Sequence, residues 1–476
     1  MHPSLRKLRE SLPHRELRHG GKWLFYCAVV GVAAGLGAVV FDVLSLTVLH
    51  FAIEVLAGWE LARPVGERPL FAPSSGDRNA GLLVVLPAVG GLLSGAIVAW
   101  LAPETAGHGT DAVIDAYHRR GGFLRLRASI VKIVASALTL GSGGSGGREG
   151  PIAQIGAGFG SFVATRLRLA DADRRVLLAA GMGAGIGSIF RAPLGGALFA
   201  AEVLYSSTEF EASVLMPACV ASIAGYSVFT AIRGSGPLFT TPAFRFDRPL
   251  ELVAYSVLAV VLVLYGFLYV RGFWGAHRRF ERLPIPRVLK PALGGLLTGA
   301  IAVAAFRLGG RDEALSVLGF GFGIVQRVLD APLPVLVGPG LLAMVALGKI
   351  VATSTTVGSG GSGGLFGPSV FIGGCVGGAV GLALHDLFPN VVTQPGSFVV
   401  VGMAGFVAGV AKTPIAALIM VSEITGSYSL LIPCTWVCVL TTSLSRRWRL
   451  FHMQVPTPAD SPANASFSAA RTGTDG

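Results

Sequence analysis

Charge is scarce in this chain. Only 13% of its 476 residues are charged, whereas 52% are hydrophobic. A water-soluble protein of this length carries roughly twice that share of charged side chains, so the composition excludes a soluble globular class. Apolar runs begin at Trp23, Gly81 and Leu252, and each reaches the ~20 residues that a helix needs to cross a bilayer. We therefore expect a multi-pass integral membrane protein.

Cysteine is also scarce. The five cysteines are odd in number and lie mostly inside apolar runs; they are Cys27, Cys219, Cys375, Cys434 and Cys438. No histidine or further cysteine joins Cys434 and Cys438 to complete a set of metal ligands. We interpret all five as small buried hydrophobic side chains, and we expect neither a metal nor a cofactor.

A cleavable signal peptide is not apparent. Residues 1–22 are basic and polar, and the apolar run behind them is too long for the core of a signal sequence. This lead and the stretch SRRWRL from Ser445 are rich in arginine, so the positive-inside rule predicts that both termini are cytoplasmic, in a plasma (inner) membrane.

The net charge of +12 fits loops that face anionic lipid, and it also fits a vestibule that concentrates an anionic substrate. The net charge alone does not distinguish these two explanations, and loops that face anionic lipid are the simpler one. Nucleic acid is not an expected partner, because the basic residues are scattered between apolar spans.

The chain consists of two similar halves. KIVASALTLGSGGSGG from Lys132 matches KIVATSTTVGSGGSGG from Lys349, and PAVGGLLSGAI from Pro87 matches PALGGLLTGAI from Pro291. Repeated halves with interrupted helices are typical of membrane transport folds, whose substrate site lies where the repeats meet. The expected fold is an all-α polytopic membrane protein of two inverted halves with broken helices. Its expected divisions are a basic segment 1–22, a transmembrane domain 23–450 with halves at about 80–230 and 285–445, and a short cytoplasmic tail 451–476.

Each half contains the loop GSGGSGG, at Gly141–Gly147 and at Gly358–Gly364. Pro151 and Pro368 follow shortly after, and proline is tolerated in a first helical turn. A helix N-terminus presents free N–H groups and the positive end of its dipole, and glycine lets these amides approach a ligand closely. Two such loops brought together predict one anion site.

The same loops contain G-x-G-x-x-G, a pattern of dinucleotide-binding proteins. That site requires a preceding β-strand and an acidic residue about 20 residues beyond, whereas here apolar membrane segments precede the loops and FGSFVATRLRL from Phe159 holds no acid. We reject the nucleotide interpretation. A membrane-bound nucleotide-dependent enzyme would also need a soluble catalytic segment, so we do not expect an enzyme.

The motifs GHG at Gly107–Gly109, GREGP at Gly147–Pro151 and GLFGP at Gly364–Pro368 resemble, in this order, those of the CLC family of chloride channels and anion/proton antiporters. The resemblance extends from about Trp23 to Pro462. It implies a homodimer in the lipid bilayer, each subunit with its own anion pathway, and chloride or another small anion as the transported ligand.

The resemblance also implies roles for single residues. Glu149 would be the gating glutamate, whose carboxylate competes with the anion and is released by protonation; the alternative is an ion pair between Glu149 and Arg148. Lys132 would add positive potential, or its side chain would instead extend to the membrane interface. The anion-binding residues would be Gly107, His108, Gly109, Arg148, Gly150, Leu365, Phe366, Gly367 and Phe451.

Three positions depart from the family pattern. His108 replaces the usual serine, and either its ring donates to the anion or it points away and the glycine amides bind alone. Phe451 stands where the family has a tyrosine at the inner gate. Val203 stands where antiporters carry a proton-transferring glutamate, directly after Glu202. Glu202 and its counterpart Glu423 are expected to be structural acids that satisfy helix ends.

Because valine cannot relay a proton, Val203 favours a chloride channel gated by Glu149 and uncoupled from protons. The alternative is a proton-coupled anion antiporter, with which Glu149 is equally compatible. A fluoride exporter fits GREGP and GHG less well.

The tail after Pro462 is too short for the CBS regulatory domains that some relatives append, so we expect none. The sequon Asn464–Ser466 would lie in the cytoplasm, out of reach of glycosylation.

Overall fold

The computed structural model describes residues 14–72, 76–330 and 337–464. Over these ranges the chain is helical, with extended pairing only at the isolated bridges Gly147–Gly364 and Tyr205–Val455. The all-α expectation is confirmed. Most of the basic lead, the end of the tail and the last two residues of the sequon lie outside the described residues.

The helices follow one order twice. Helix α1, His14–Leu49, continues as a π-helical segment, His50–Leu56, and precedes the first half. The first half comprises α2 Ala80–Leu101, α3 Thr110–Arg119, α4 Leu126–Gly141, α5 Glu149–Arg166, α6 Asp171–Ile189, α7 Pro193–Glu202 and α8 Ala212–Arg233. The connecting helix is α9, Glu251–Arg282. The second half comprises α10 Leu289–Gly309, α11 Phe322–Asp330, α12 Pro339–Gly358, α13 Phe366–Leu387, α14 Ser397–Ala411, α15 Pro414–Thr425 and α16 Leu431–Leu444.

Within the described ranges, 7 helices are long and apolar enough to cross a membrane. They are the segment Gly21–Leu56 and helices α2, α8, α9, α10, α12 and α13. Helices α14 to α16 are apolar but shorter, below the ~20 residues of a complete span. The expectation of a multi-pass membrane protein is confirmed, and the fold also contains apolar helices that are too short for a complete span.

The glycine loops end helices α4 and α12 and lead into α5 and α13. Gly143 and Gly360, at the same place in the two loops, have φ angles of 103° and 99°, a conformation that side chains disfavour. Pro151 and Pro368 lie in the first turns of α5 and α13, where a missing N–H costs no intrahelical hydrogen bond.

The two halves pack against each other through equivalent helices. A Cβ atom on Gly91 of α2 would collide with the carbonyl group of Pro291 in α10, and one on Gly295 of α10 would collide with the carbonyl group of Pro87 in α2. Such close backbone approach is the packing that small residues allow between membrane helices. The contact is reciprocal, as a two-fold relation between the halves requires.

Four of the five cysteines are buried, as expected, but Cys219 is only half-buried. Cys219 lies on α8, a spanning helix of which only 33% is buried inside the protein, so its apolar surroundings include the outer surface. That expectation was therefore wrong for Cys219. No cluster of three or more potential metal ligands occurs in the described part of the chain.

Candidate anion site

The two glycine loops meet at the centre of the protein. The backbone N–H of Gly147 donates to the carbonyl oxygen of Gly364 over 2.8 Å, and the N–H of Gly364 donates to the carbonyl oxygen of Gly147 over 2.7 Å. These glycines directly precede Arg148 and Leu365, where the two motifs begin to differ. The pairing therefore holds the N-termini of α5 and α13 side by side, and both direct free N–H groups and positive dipole ends to one region.

Two hydroxyl pairs strengthen the same junction. The hydroxyl oxygens of Ser136 and Ser362 are 2.8 Å apart, and those of Ser145 and Thr353 are 3.0 Å apart; both pairs are buried. Ser136 occupies the place of Thr353 in the repeat, and Ser145 that of Ser362. The same cross-half hydrogen bond is therefore made twice, which fixes the positions of the loops from both sides.

Glu149 begins α5 and is only 2% exposed. Its carboxylate interacts with its own backbone amide and with that of Gly367, but neither oxygen makes a hydrogen bond of ordinary geometry. A Cβ atom on Gly147 or on Gly367 would collide with this carboxylate. The carboxylate thus fills the space between the two loops, where the helix ends attract negative charge, and it is held there weakly.

Arg148 is paired with other acids. Its guanidinium lies 2.6 Å from Oδ1 of Asp42 and 3.1 Å from Oε2 of Glu67, and it stacks on the ring of Phe320 at 4.2 Å. Arg233 contacts the second oxygen of Asp42 at 2.8 Å. All four charged groups are buried, and the ion pairs of Arg148 are made with Asp42 and Glu67 rather than with Glu149. These contacts hold the guanidinium of Arg148 in place.

The motif Gly107–Gly109 immediately precedes α3. The ring of His108 lies 5.7 Å from that of Phe451 and 6.1 Å from that of Phe273, measured between centroids. His108 is 8% exposed and Phe451 is fully buried. The imidazole therefore lies beside Phe451, the residue predicted to form the inner constriction.

Contacts at Gly150 and Gly109 connect this inner end to the centre. A Cβ atom on Gly150 would collide with the carbonyl oxygen of His108 and would lie 2.9 Å from Cα of Gly364. One on Gly109 would lie 2.7 Å from the carbonyl oxygen of Gly150 and 3.2 Å from Cε of Lys132. The fold therefore brings together both glycine motifs of the first half, the second loop and Lys132.

Lys132 and Lys349 are both fully buried. Nζ of Lys132 donates to the carbonyl oxygens of Thr105 at 2.9 Å and Gly107 at 2.7 Å, and Nζ of Lys349 donates to that of Gly319 at 2.8 Å. The alternative in which Lys132 extends to the membrane interface is wrong. Each lysine holds the loop before a short helix of its own half, α3 or α11, and places its amino group in the interior.

Tyr269 was not found from the sequence. It is fully buried on α9, and its hydroxyl donates to the carbonyl oxygen of Leu365 over 3.0 Å. The same hydroxyl interacts with Ser369 and lies within electrostatic range of Glu149. Because Tyr269 lies outside the sequence blocks that match between the two halves, the comparison of the halves gave no signal for it.

Val203 follows α7 directly and is fully buried, and its carbonyl oxygen accepts from Nε2 of Gln454 at 3.1 Å. Glu202, one residue earlier, is 2% exposed and accepts from the backbone N–H groups of Ile415 and Ala416 at 3.1 and 2.7 Å. Glu202 is thus committed to the start of α15, and Val203 offers no group that exchanges a proton.

Converging helix ends between two repeated halves, with broken helices inside the protein, define a class: a polytopic membrane transport protein. The chain belongs to the voltage gated chloride channel family, whose family model matches residues 90–446. This confirms the resemblance seen in the motifs.

Among curated relatives, a putative chloride channel protein, ClcB-like, from Ralstonia nicotianae is 30% identical over 75% of this chain and 80% of its own length. The H(+)/Cl(-) exchange transporter ClcA of Salmonella typhi is 28% identical over 89% of this chain and 85% of its own length.

Solved structures support the fold. That of a slow cyanobacterial Cl-/H+ antiporter matches with a TM-score of 0.74 at 21% identity, over 95% of this chain and 98% of its own. That of a CLC-type fluoride/proton antiporter matches with a TM-score of 0.75 at 19% identity, over 94% of this chain and 100% of its own.

Proposed function

We propose that the protein moves chloride across the membrane in exchange for protons, with Glu149 as the group that alternates between the two. The observation that carries the proposal is the buried carboxylate of Glu149 between the two helix N-termini, without a hydrogen bond of ordinary geometry. A carboxylate in that place competes with a chloride ion for the same amides. Protonation removes its charge and releases the place to the anion.

The names of the relatives favour exchange over the uncoupled channel expected from Val203. Several relatives of similar identity are called H(+)/Cl(-) exchange transporters, and each aligns with more of this chain than the channel-like relative does. A channel remains the second candidate, because the buried Val203 and the helix-bound Glu202 leave the end of α7 without a proton-exchanging side chain.

The anion in this proposal is bound by backbone amides at Gly150 and at Leu365, Phe366 and Gly367, with His108 and Phe451 at the inner end. Lys132 and Arg148 raise the local positive potential. The protein works as a homodimer in the plasma (inner) membrane, with both termini in the cytoplasm.

Purified protein in liposomes tests the proposal. A chloride gradient is imposed across the liposomes, and the movement of protons is measured. Exchange predicts that the chloride gradient drives protons uphill across the membrane. A channel predicts that chloride moves without driving protons. Glu149→Gln is expected to abolish proton movement and to keep chloride flux. Glu104→Gln, which alters a partly exposed ion pair with Arg125, is the control and is expected to behave as the parent protein. Chloride flux without any proton movement in the parent protein would establish the channel instead.

A further inference from the structure

The two ring nitrogens of His108 have different surroundings. Nε2 lies 3.3 Å from Oδ2 of Asp111, in the first turn of α3. Nδ1 is buried and has no hydrogen-bond partner in the described structure. Buried polar atoms are in most cases hydrogen-bonded, so Nδ1 calls for a partner from outside the chain, such as a water molecule or an ion.

Asp111 cannot turn away from the imidazole. Its Oδ2 accepts from the backbone N–H of His452 and its Oδ1 from that of Met453, each at 3.2 Å. Burial raises the pKa of the Asp111 carboxyl, but the charge and hydrogen bond of His108, together with these two backbone donors, hold it below its usual value. Asp111 is therefore an ionised acceptor, and it requires the hydrogen of a neutral His108 to be on Nε2.

A neutral His108 in this tautomer presents a lone pair at Nδ1, which repels an anion. Protonation changes Nδ1 into a donor and gives the ring a positive charge, so an anion beside Nδ1 is stabilised only when the proton is present. Resting on the function proposed above, we propose that His108 binds one proton together with the anion at the inner end of the pathway, and that Asp111 imposes this coupling by fixing the tautomer.

Asp111 is an acid in direct contact with the His108 ring, through Nε2. Of the titratable and charged groups around His108, Asp111 on α3 contacts the ring, Lys132 on α4 binds the carbonyl oxygen of the preceding Gly107, and His452 after α16 interacts with the ring electrostatically. Arg278 on α9 and Arg449 after α16 act on His452, and His277 on α9 lies on the far side of Phe273. Asp111 is the one negative group in this set. A bound anion adds the second negative charge that favours the imidazolium, and anion and proton therefore bind cooperatively.

The test measures proton uptake on chloride binding in the Glu149→Gln protein, where the gating carboxyl no longer titrates. Chloride is titrated calorimetrically in buffers of different ionisation enthalpy, which gives the number of protons taken up per chloride. We expect uptake to approach about one proton per chloride above the pKa of a histidine, and chloride affinity to fall about tenfold per pH unit there. Adding His108→Ser or His108→Asn is expected to abolish the uptake.

Two further variants separate positioning from a merely structural role. Asp111→Asn can donate to Nε2 and so permits the hydrogen on Nδ1; chloride affinity is then expected to become nearly independent of pH. His277→Asn, beyond Phe273, is the matched control and is expected to keep the uptake.

If Glu149→Gln binds chloride without proton uptake, the role of His108 is refuted while chloride binding stands. If the parent protein binds no chloride, the proposed function itself fails. If the His108 variants do not fold, two measurements still test the proposal. They are the number of protons taken up per chloride in Glu149→Gln and the pH dependence of chloride affinity in Asp111→Asn.

Discussion

Glu202 and Glu423 hold the first turns of each other's helices. Glu202 ends α7 and accepts from Ile415 and Ala416 at the start of α15, while Glu423 in α15 accepts from Leu194 and Gly195 at the start of α7, at 3.2 and 2.7 Å. Each half thus supplies the acid that satisfies the free amides of the other.

This relationship predicts unequal costs for two similar changes. Glu202→Gln places an amide group against a backbone N–H inside the protein, and we expect it to lower the free energy of unfolding by about 1 to 3 kcal/mol. Glu423→Gln should cost less, because Glu423 is only partly buried. Thermal unfolding in detergent compares them, and an equal or larger loss for Glu423→Gln would contradict the explanation.

Asp42 connects two buried arginines, Arg148 and Arg233. Asp42→Asn leaves these guanidinium groups close together without their shared counter-charge, and we expect a loss of about 3 to 5 kcal/mol, typical of a broken buried ion pair. Asp312→Asn, in an exposed pair with Arg78, is the control and should cost about 1 kcal/mol or less. Chemical or thermal unfolding of the two variants measures the difference. Similar stability would show that the network at Arg148 is not held by Asp42.

Gly367 and Gly364 predict contrasting effects of one added methyl group. On Gly367 the new Cβ meets the carboxylate of Glu149, the end of a side chain that can move away. Gly367→Ala should therefore fold and should lower the number of protons exchanged per chloride. On Gly364 the Cβ would lie 2.6 Å from the backbone nitrogen of Gly150, which cannot move without its helix. Gly364→Ala should therefore reduce the yield of folded protein. Coupled flux in Gly367→Ala at the parent stoichiometry would contradict the position assigned to Glu149.

Tyr269 and Tyr255 offer a matched pair on α9. Both are buried and both make a hydroxyl hydrogen bond, Tyr269 to the carbonyl oxygen of Leu365 over 3.0 Å and Tyr255 to the hydroxyl of Ser397 over 2.7 Å. We expect each change to phenylalanine to cost about 1 kcal/mol of stability. Only Tyr269→Phe is expected to weaken chloride binding, because its partner Leu365 directly precedes α13. Calorimetric titration with chloride measures the affinity of the two variants. Equal chloride affinity would show that Tyr269 does not contribute to the anion site.

The sequence predicted the helical fold, the two halves and the residues at their junction, because these follow from hydropathy and from repeated motifs. It did not predict which acids pair with Arg148, since Asp42 and Glu67 lie outside the repeated blocks. It missed Tyr269 for the same reason. The surroundings of His108 depend on a chain segment more than 300 residues away, His452 and Met453, and no local pattern indicates such a contact.

The Gly147–Gly364 pair consists of main-chain atoms alone. Backbone hydrogen bonds of this kind do not depend on which side chains follow in the sequence. The residues after each glycine can therefore differ between the halves while the two hydrogen bonds are kept. Arg148 and Glu149 in one half, and Leu365 and Phe366 in the other, are the outcome of that freedom. A duplicated fold can in this way keep the same pair of glycine backbone hydrogen bonds while its two copies carry different side chains at the adjacent positions.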